Sequence, residues 1–305
     1  MKKILCIILL NFLFSDIQFN TSWGNCSLIN NQQVLSDSVL KNIILEQINN
    51  LNLQFKQPAT TKEFSIIIYN GNQKINNKYW DWSIGITYSY PEKIIIKDPA
   101  YAHISINRFE QVLLHELNHI MMNRVDIHKT IPRWFKEGFA MYFSNEISLN
   151  HKLQVANHIY NEDLFKISLL NQFSNFNKQQ FNLAYAQSSM YVLAIENLFG
   201  KSTLNNIYNG LYDGQTFEDS FYIATSKTIS ELDDLIYPYI KNKYKWYKLI
   251  NLPNKLFSLL PLILVIGFIL RSRRNRKIEK KWEIEEEIEE EIEEEIEKLE
   301  NSDIQ

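Results

Sequence analysis

The sequence predicts an α+β protein with an antiparallel or mixed sheet in its N-terminal part, a helical lobe after it, and one C-terminal transmembrane helix. Three observations predict this. Short β-branched and aromatic runs cluster between Phe64 and Lys97; apolar residues recur at three- and four-residue spacing in the segments that follow; and Leu256–Leu270 carries no charge. Of 305 residues, 45% are hydrophobic and 13% aromatic, which is ample for a core.

The chain starts with Met1-Lys-Lys and an apolar run, Ile4–Phe14, which matches a secretory signal peptide. Residues 1–22 are assigned to it without a clear cleavage site, and an uncleaved signal anchor is the alternative. Cys26 lacks a lipoprotein context, and with Cys6 in the signal segment the mature chain keeps one cysteine and no intrachain disulfide. Residues 28–245 then form an extracytoplasmic domain. Its first helix is predicted over 36–55, where Val39, Leu40, Ile43, Ile44 and Ile48 share a face. Phe64–Tyr69 reads as a strand, and Ser83–Tyr90 with Lys93–Lys97 as a hairpin. Trp80, Asp81 and Trp82 read as buried aromatics around an acid more than as a cleft lining.

The next helix holds the chemistry. No Pro or Gly interrupts Phe109–Val125, and Asn107 with Glu110 stand in capping-box positions. Within it lies His115-Glu116-Leu-Asn-His119. Two histidines four apart project from one helix face, so both imidazoles can bind one metal ion. Glu116 points near the same opening, where it can take a proton from water at the metal. Zinc needs a third protein ligand and an open position. Glu137 is the candidate, on a second helix over Ile131–Phe143 that Pro132 starts. A carboxylate among Trp134, Phe135, Phe139 and Tyr142 is costly unless paired or metal-bound. Gly138 beside it implies a close approach, expected with the first helix. The competing readings are core histidines bonded to carbonyls and a solvent-facing Glu137 next to Lys136.

These residues resemble a known family. His-Glu-x-x-His followed by Pro-x-Trp-x-x-Glu-Gly-x-Ala-x-Tyr is similar to the gluzincin peptidases, in particular the bacterial peptidase MA-like group, over roughly residues 60–210. Leu183–Gly200, with Tyr185 and Ser188, resembles that family's Tyr-x-x-Ser helix. The resemblance implies a zincin-like domain with Zn²⁺ held by His115, His119 and Glu137, and Glu116 as general base. It also implies that Tyr185 steadies the oxyanion, although an aromatic there fits the core equally. Some gluzincins orient a histidine with an aspartate one turn after the third ligand. Met141 stands at that position here, which leaves Asp126 and Asn118 as alternatives. His103, His128, His151 and His158 have no partner at ligand spacing and read as surface or core residues.

Residues 150–239 read as the helical lobe closing the cleft, punctuated by Gly200, Gly210 and Gly214. A transmembrane helix is expected over 249–270, flanked by Tyr244, Trp246 and Tyr247 on one side and Arg271–Lys277 on the other. The basic cluster orients it with the C-terminus in the cytoplasm. The tail, 271–305, has eight Lys or Arg against fourteen Asp or Glu, and reads as a solvated helix or as a site for a cytoplasmic partner. No nucleic-acid motif appears. The expected protein is a membrane-anchored, single-pass metallopeptidase acting on peptide or protein substrates. The alternative is a non-catalytic gluzincin-like binding or scaffold protein of the cell envelope.

Overall fold

Alternation along the central strands sets the architecture. In the computed structural model, which describes residues 15–30, 34–59, 63–71, 75–77, 80–160, 162–173, 176–247 and 260–284, five strands form one mixed sheet. They are β1 (Ser15–Thr21), β2 (Gly24–Asn30), β3 (Phe64–Tyr69), β4 (Gly85–Ser89) and β5 (Glu92–Lys97), in the order β1-β2-β3-β5-β4. β2, β3 and β5 run parallel, whereas β1 and β4 are antiparallel edge strands. Leu28, Ile66, Ile68, Ile94 and Ile96 are buried on the face that meets the helices. Ile67 and Ile95 point the other way, into a smaller cluster with Tyr69 and Trp80. Each fully buried Leu, Ile or Phe contributes about 1.5–3 kcal/mol by leaving water.

The predicted 83–97 hairpin is present as β4 and β5. The β1–β2 hairpin is not legible in the sequence, because both strands are largely polar and carry few β-branched or aromatic residues. The sheet thus reaches back into residues read as a signal peptide and begins before residue 28; residues 1–14 of that segment lie outside the described ones. Trp23 at the hairpin turn is fully buried and donates its indole N–H to Asn52 Oδ1 at 2.8 Å. Asn52 belongs to α1 (Asp37–Gln54), the helix that crosses from β2 to β3.

Behind the sheet lies α2 (Ile106–Val125), with buried residues all around its circumference, as expected of a central helix. Its cap is Ser105, whose hydroxyl accepts from Arg108 N at 3.2 Å, and not Asn107. α3 (Arg133–Phe143) follows, preceded by Pro132 at its cap. The helical lobe consists of α4 (Leu149–Tyr160), α5 (Lys178–Phe199), α6 (Thr203–Tyr212), α7 (Phe217–Thr225) and α8 (Leu232–Tyr244). An Asn177–Gln180 capping box starts α5. Gly138 does mark a close approach, but to α5 and not to α2: a Cβ there would lie 2.3 Å from Ser188 O. That contact brings the third candidate ligand and Tyr185 to one place.

The chain divides into two compact units, Met1–Tyr247 and Lys248–Gln305. In the second, residues 260–284 are helical and expose Leu262, Ile263, Leu264 and Phe268. Among the described residues no helix is long and apolar enough to cross a membrane. Of the expected 249–270 span, residues 249–259 lie outside the described ones, as do residues 285–305 of the tail.

Candidate metal centre

Helix geometry brings the predicted ligands together. His119 Nε2 lies 3.1 Å from His115 Nε2, and Glu137 Oε2 lies 3.3 Å from the former and 3.7 Å from the latter. Donors placed about 2.0–2.1 Å from a tetrahedral ion are about 3.3–3.4 Å apart, so one metal ion fits the triangle. The strongest sign is Glu137 Oε2 itself. It is shielded from solvent and has no hydrogen-bond partner among the described residues, while Oε1 accepts from Arg133 Nε at 3.3 Å. A buried carboxylate oxygen aimed at two imidazole nitrogens is costly unless a cation meets it. These three residues can therefore hold a metal ion.

The electrostatics agree. Burial would raise the Glu137 carboxyl, but the facing His119 and His115 rings and the Arg133 guanidinium hold it well below the usual carboxylate range. Burial would lower His115; the Glu146, Glu137 and Glu116 carboxylates around it reverse this and raise it well above its ordinary value. Three buried carboxylates about two imidazoles form a pocket that favours positive charge.

Glu146 is the residue that sequence reasoning missed. Its Oε2 meets His115 Nδ1, and it also accepts from Ser144 Oγ at 3.0 Å and pairs with Arg108 at 2.7 Å. Burial acts against its ionised form, yet His115 and Arg108 bring it down to about 2. A carboxylate on Nδ1 fixes the tautomer that leaves the Nε2 lone pair for a metal. The turn after α3 places it: Asn145 takes the left-handed region at φ 55°, Asn145 N donates to Tyr142 O, and Glu146 N donates to Met141 O. This is a Schellman ending, which Asn suits better than most non-glycine residues. An Asn after a predicted helix, followed by an acid, was the available signal. The two alternatives read from sequence act elsewhere. Asn118 donates to Leu114 O at 2.8 Å, and Asp126 accepts from Thr130 N and Ile131 N and pairs with Lys136 at 2.9 Å. Glu146→Ala is expected to weaken metal binding about 10- to 100-fold, measured by competition with a chelator. Unchanged affinity would show that the His115 ring is held by packing alone.

Glu116 is buried beside the triangle. Thr87 Oγ1 lies 2.6 Å from Glu116 Oε2, and a Cβ on Gly85 would come within 2.7 Å of Oε1, so only glycine leaves the carboxylate room. Burial raises its pKa, partly offset by His115 and His119. Tyr185, on α5, faces the same cleft; burial first and then the Glu137 charge keep its hydroxyl well above the ordinary range.

Two cavities, of about 400 and 350 Å³, open on either side of these residues and share Gly85, His115, Glu116, Phe181 and Tyr185. They are lobes of one cleft along the edge strand β4. Trp82 lines it, as does His151, which sequence reading placed in the surface or core set. Trp80 is buried, and His128 instead contacts Gly214 O at 2.9 Å. The profile of the Peptidase MA superfamily matches residues 48–242, which includes every residue of the triangle, Glu116 and Tyr185. No curated protein matches the chain.

Proposed function

The chain belongs to the Peptidase MA superfamily, and we propose that it is a zinc metallopeptidase that hydrolyses peptide bonds. The observation that carries this is the Glu137 oxygen, buried without a hydrogen-bond partner among the described residues and facing His115 and His119, with Glu116 beside them. Two imidazoles and a carboxylate are a donor set suited to zinc, with one position left open. When bound there, zinc supplies a Lewis acid that polarises the scissile carbonyl and acidifies water.

The chain's own residues do the rest. Glu116, oriented by Thr87, takes a proton from the attacking water and passes it to the leaving amine. Its raised pKa suits that exchange. Tyr185 donates a hydrogen bond from its hydroxyl to the oxygen that becomes negative as the carbonyl is attacked. Glu146 keeps His115 in the ligating tautomer. Gly85–Tyr88 of the edge strand line the cleft, so an extended peptide adds as a further strand and is read through its backbone. Hydrolysis of a peptide mixture is expected to stop on chelation and return with zinc. Hydrolysis that survives complete metal removal would overturn the reading.

Residues 249–270 are proposed to hold the domain on the outer side of a membrane. The support is the aromatic residues before the apolar run and the basic cluster after it. A chain ending at Tyr247 is expected to leave the membrane fraction, and its retention there would point to the N-terminal apolar run as the anchor.

A further inference from the structure

The cleft continues past the metal centre on both sides. His115 and Glu116 line both lobes, so the reactive groups sit at their junction and not at an end. Ser83, Ile84 and Gly85 line the lobe on the Glu146 side, and Gly85 through Tyr88 line the other. That stretch, Ser83–Tyr88, covers roughly 17 Å of extended chain. Its pairing leaves backbone groups free for a ligand. Lys97 N donates to Ile84 O at 2.8 Å, so in antiparallel alternation Ile84, Ile86 and Tyr88 face β5. Gly85 and Thr87 then turn their backbone N–H and C=O to the outer edge of the sheet.

Among the described residues, neither lobe offers an unpaired charge for a peptide terminus. A free α-carboxylate needs an available cation. Arg108 pairs with Glu146 at 2.7 Å, Arg133 with Glu137 at 3.3 Å, and Lys136 with Asp126 at 2.9 Å. Burial lowers the pKa of His151, which favours its neutral ring. A free α-ammonium needs an available acid. Both oxygens of Glu146 are taken, by Arg108 and by His115, and those of Glu137 face Arg133 and the two ligand histidines. Glu116 remains, but it lies at the junction, bonded by Thr87.

We propose that the chain is an endopeptidase: it takes an extended stretch from within a polypeptide, seats residues on both sides of the scissile bond in the two lobes, and reads neither terminus. The inference rests on the peptidase reading and adds a substrate class to it.

The test uses a library of peptides about ten residues long, longer than the cleft, and the full zinc-loaded chain. Each peptide is made free, N-acetylated, C-amidated and blocked at both ends, and the products are identified by mass spectrometry. Cuts are expected at internal bonds with two or more residues on each side, and kcat/KM is expected to agree within about threefold across the four forms. Blocking a terminus held by a desolvated charge pair would instead cost about 30-fold or more. Shortening the peptide to one residue on either side of the cut is expected to lower kcat/KM about tenfold or more, because contacts remote from the bond support its cleavage. Release of one or two residues from a free end, abolished by blocking that end, would overturn the proposal and leave the peptidase. Calorimetric binding of the same peptides to Glu116→Gln protein separates the two readings. If nothing is hydrolysed, yet free and blocked forms bind equally and shortening from either end weakens binding, the seating of an internal segment stands and the peptidase reading falls. Binding that is lost when one end is blocked would overturn the proposal in that case too.

Discussion

Glu116→Gln is expected to lower kcat/KM for peptide hydrolysis by about 10²- to 10⁴-fold, or roughly 3–5 kcal/mol of transition-state stabilisation, while zinc content stays at the wild-type level. The substitution keeps the shape of the side chain, so the space left by Gly85 still accommodates it. Thr87 can still donate to the amide oxygen that replaces Glu116 Oε2. Glu116 is not a member of the His115, His119 and Glu137 triangle, so the metal site should persist. What disappears is the ability to accept a proton from water. Steady-state kinetics beside elemental analysis reads both quantities. Activity within a few-fold of wild type would remove Glu116 from the chemistry, and loss of zinc alongside activity would recast it as part of the metal site.

The second large effect concerns stability. Arg124 has no exposed side-chain surface, and its Nε donates to Glu92 Oε2 at 2.9 Å and Oε1 at 3.2 Å. One terminal nitrogen donates to Trp23 O at 2.6 Å, and the guanidinium lies 5.5 Å from the centre of the Phe64 ring. The C-terminal end of α2 is thereby tied to the β1–β2 turn and to the start of β5. Glu92→Ala leaves the guanidinium buried without its counter-charge, at an expected cost of about 3–5 kcal/mol. Urea unfolding followed by circular dichroism measures this, and Glu92→Gln, which keeps one acceptor oxygen, is expected to fall between. A loss below about 1 kcal/mol, typical of an exposed pair, would mean that water reaches Arg124.

Local pattern carried the parts of the site that one helix decides. His115 and His119 were legible because four-residue spacing on an uninterrupted helix has one geometric consequence. Glu137 was legible because a carboxylate among large apolar side chains needs a partner, and the structure buries it facing both histidines. Glu146 was not, since its position depends on a left-handed Asn145 and on where the chain goes after α3. Gly138 announced a close approach without naming the partner, because sequence spacing says nothing about which helix arrives from 50 residues away. The first hairpin was hidden for a different reason. β1 and β2 are polar strands whose pairing is held by Trp23 and by the parallel partner β3, contacts that alternation in a window of seven residues does not reveal.

The most direct test of the account is metal stoichiometry. The full chain, purified, stripped and reloaded with zinc, would be compared with its Glu137→Ala and His119→Ala variants by elemental analysis, with circular dichroism to confirm folding. The account predicts about one zinc per wild-type chain and little in either variant, because three protein ligands hold the ion. A folded wild-type chain that takes up no zinc, or variants that retain it fully, would contradict the metal centre and the peptidase reading built on it.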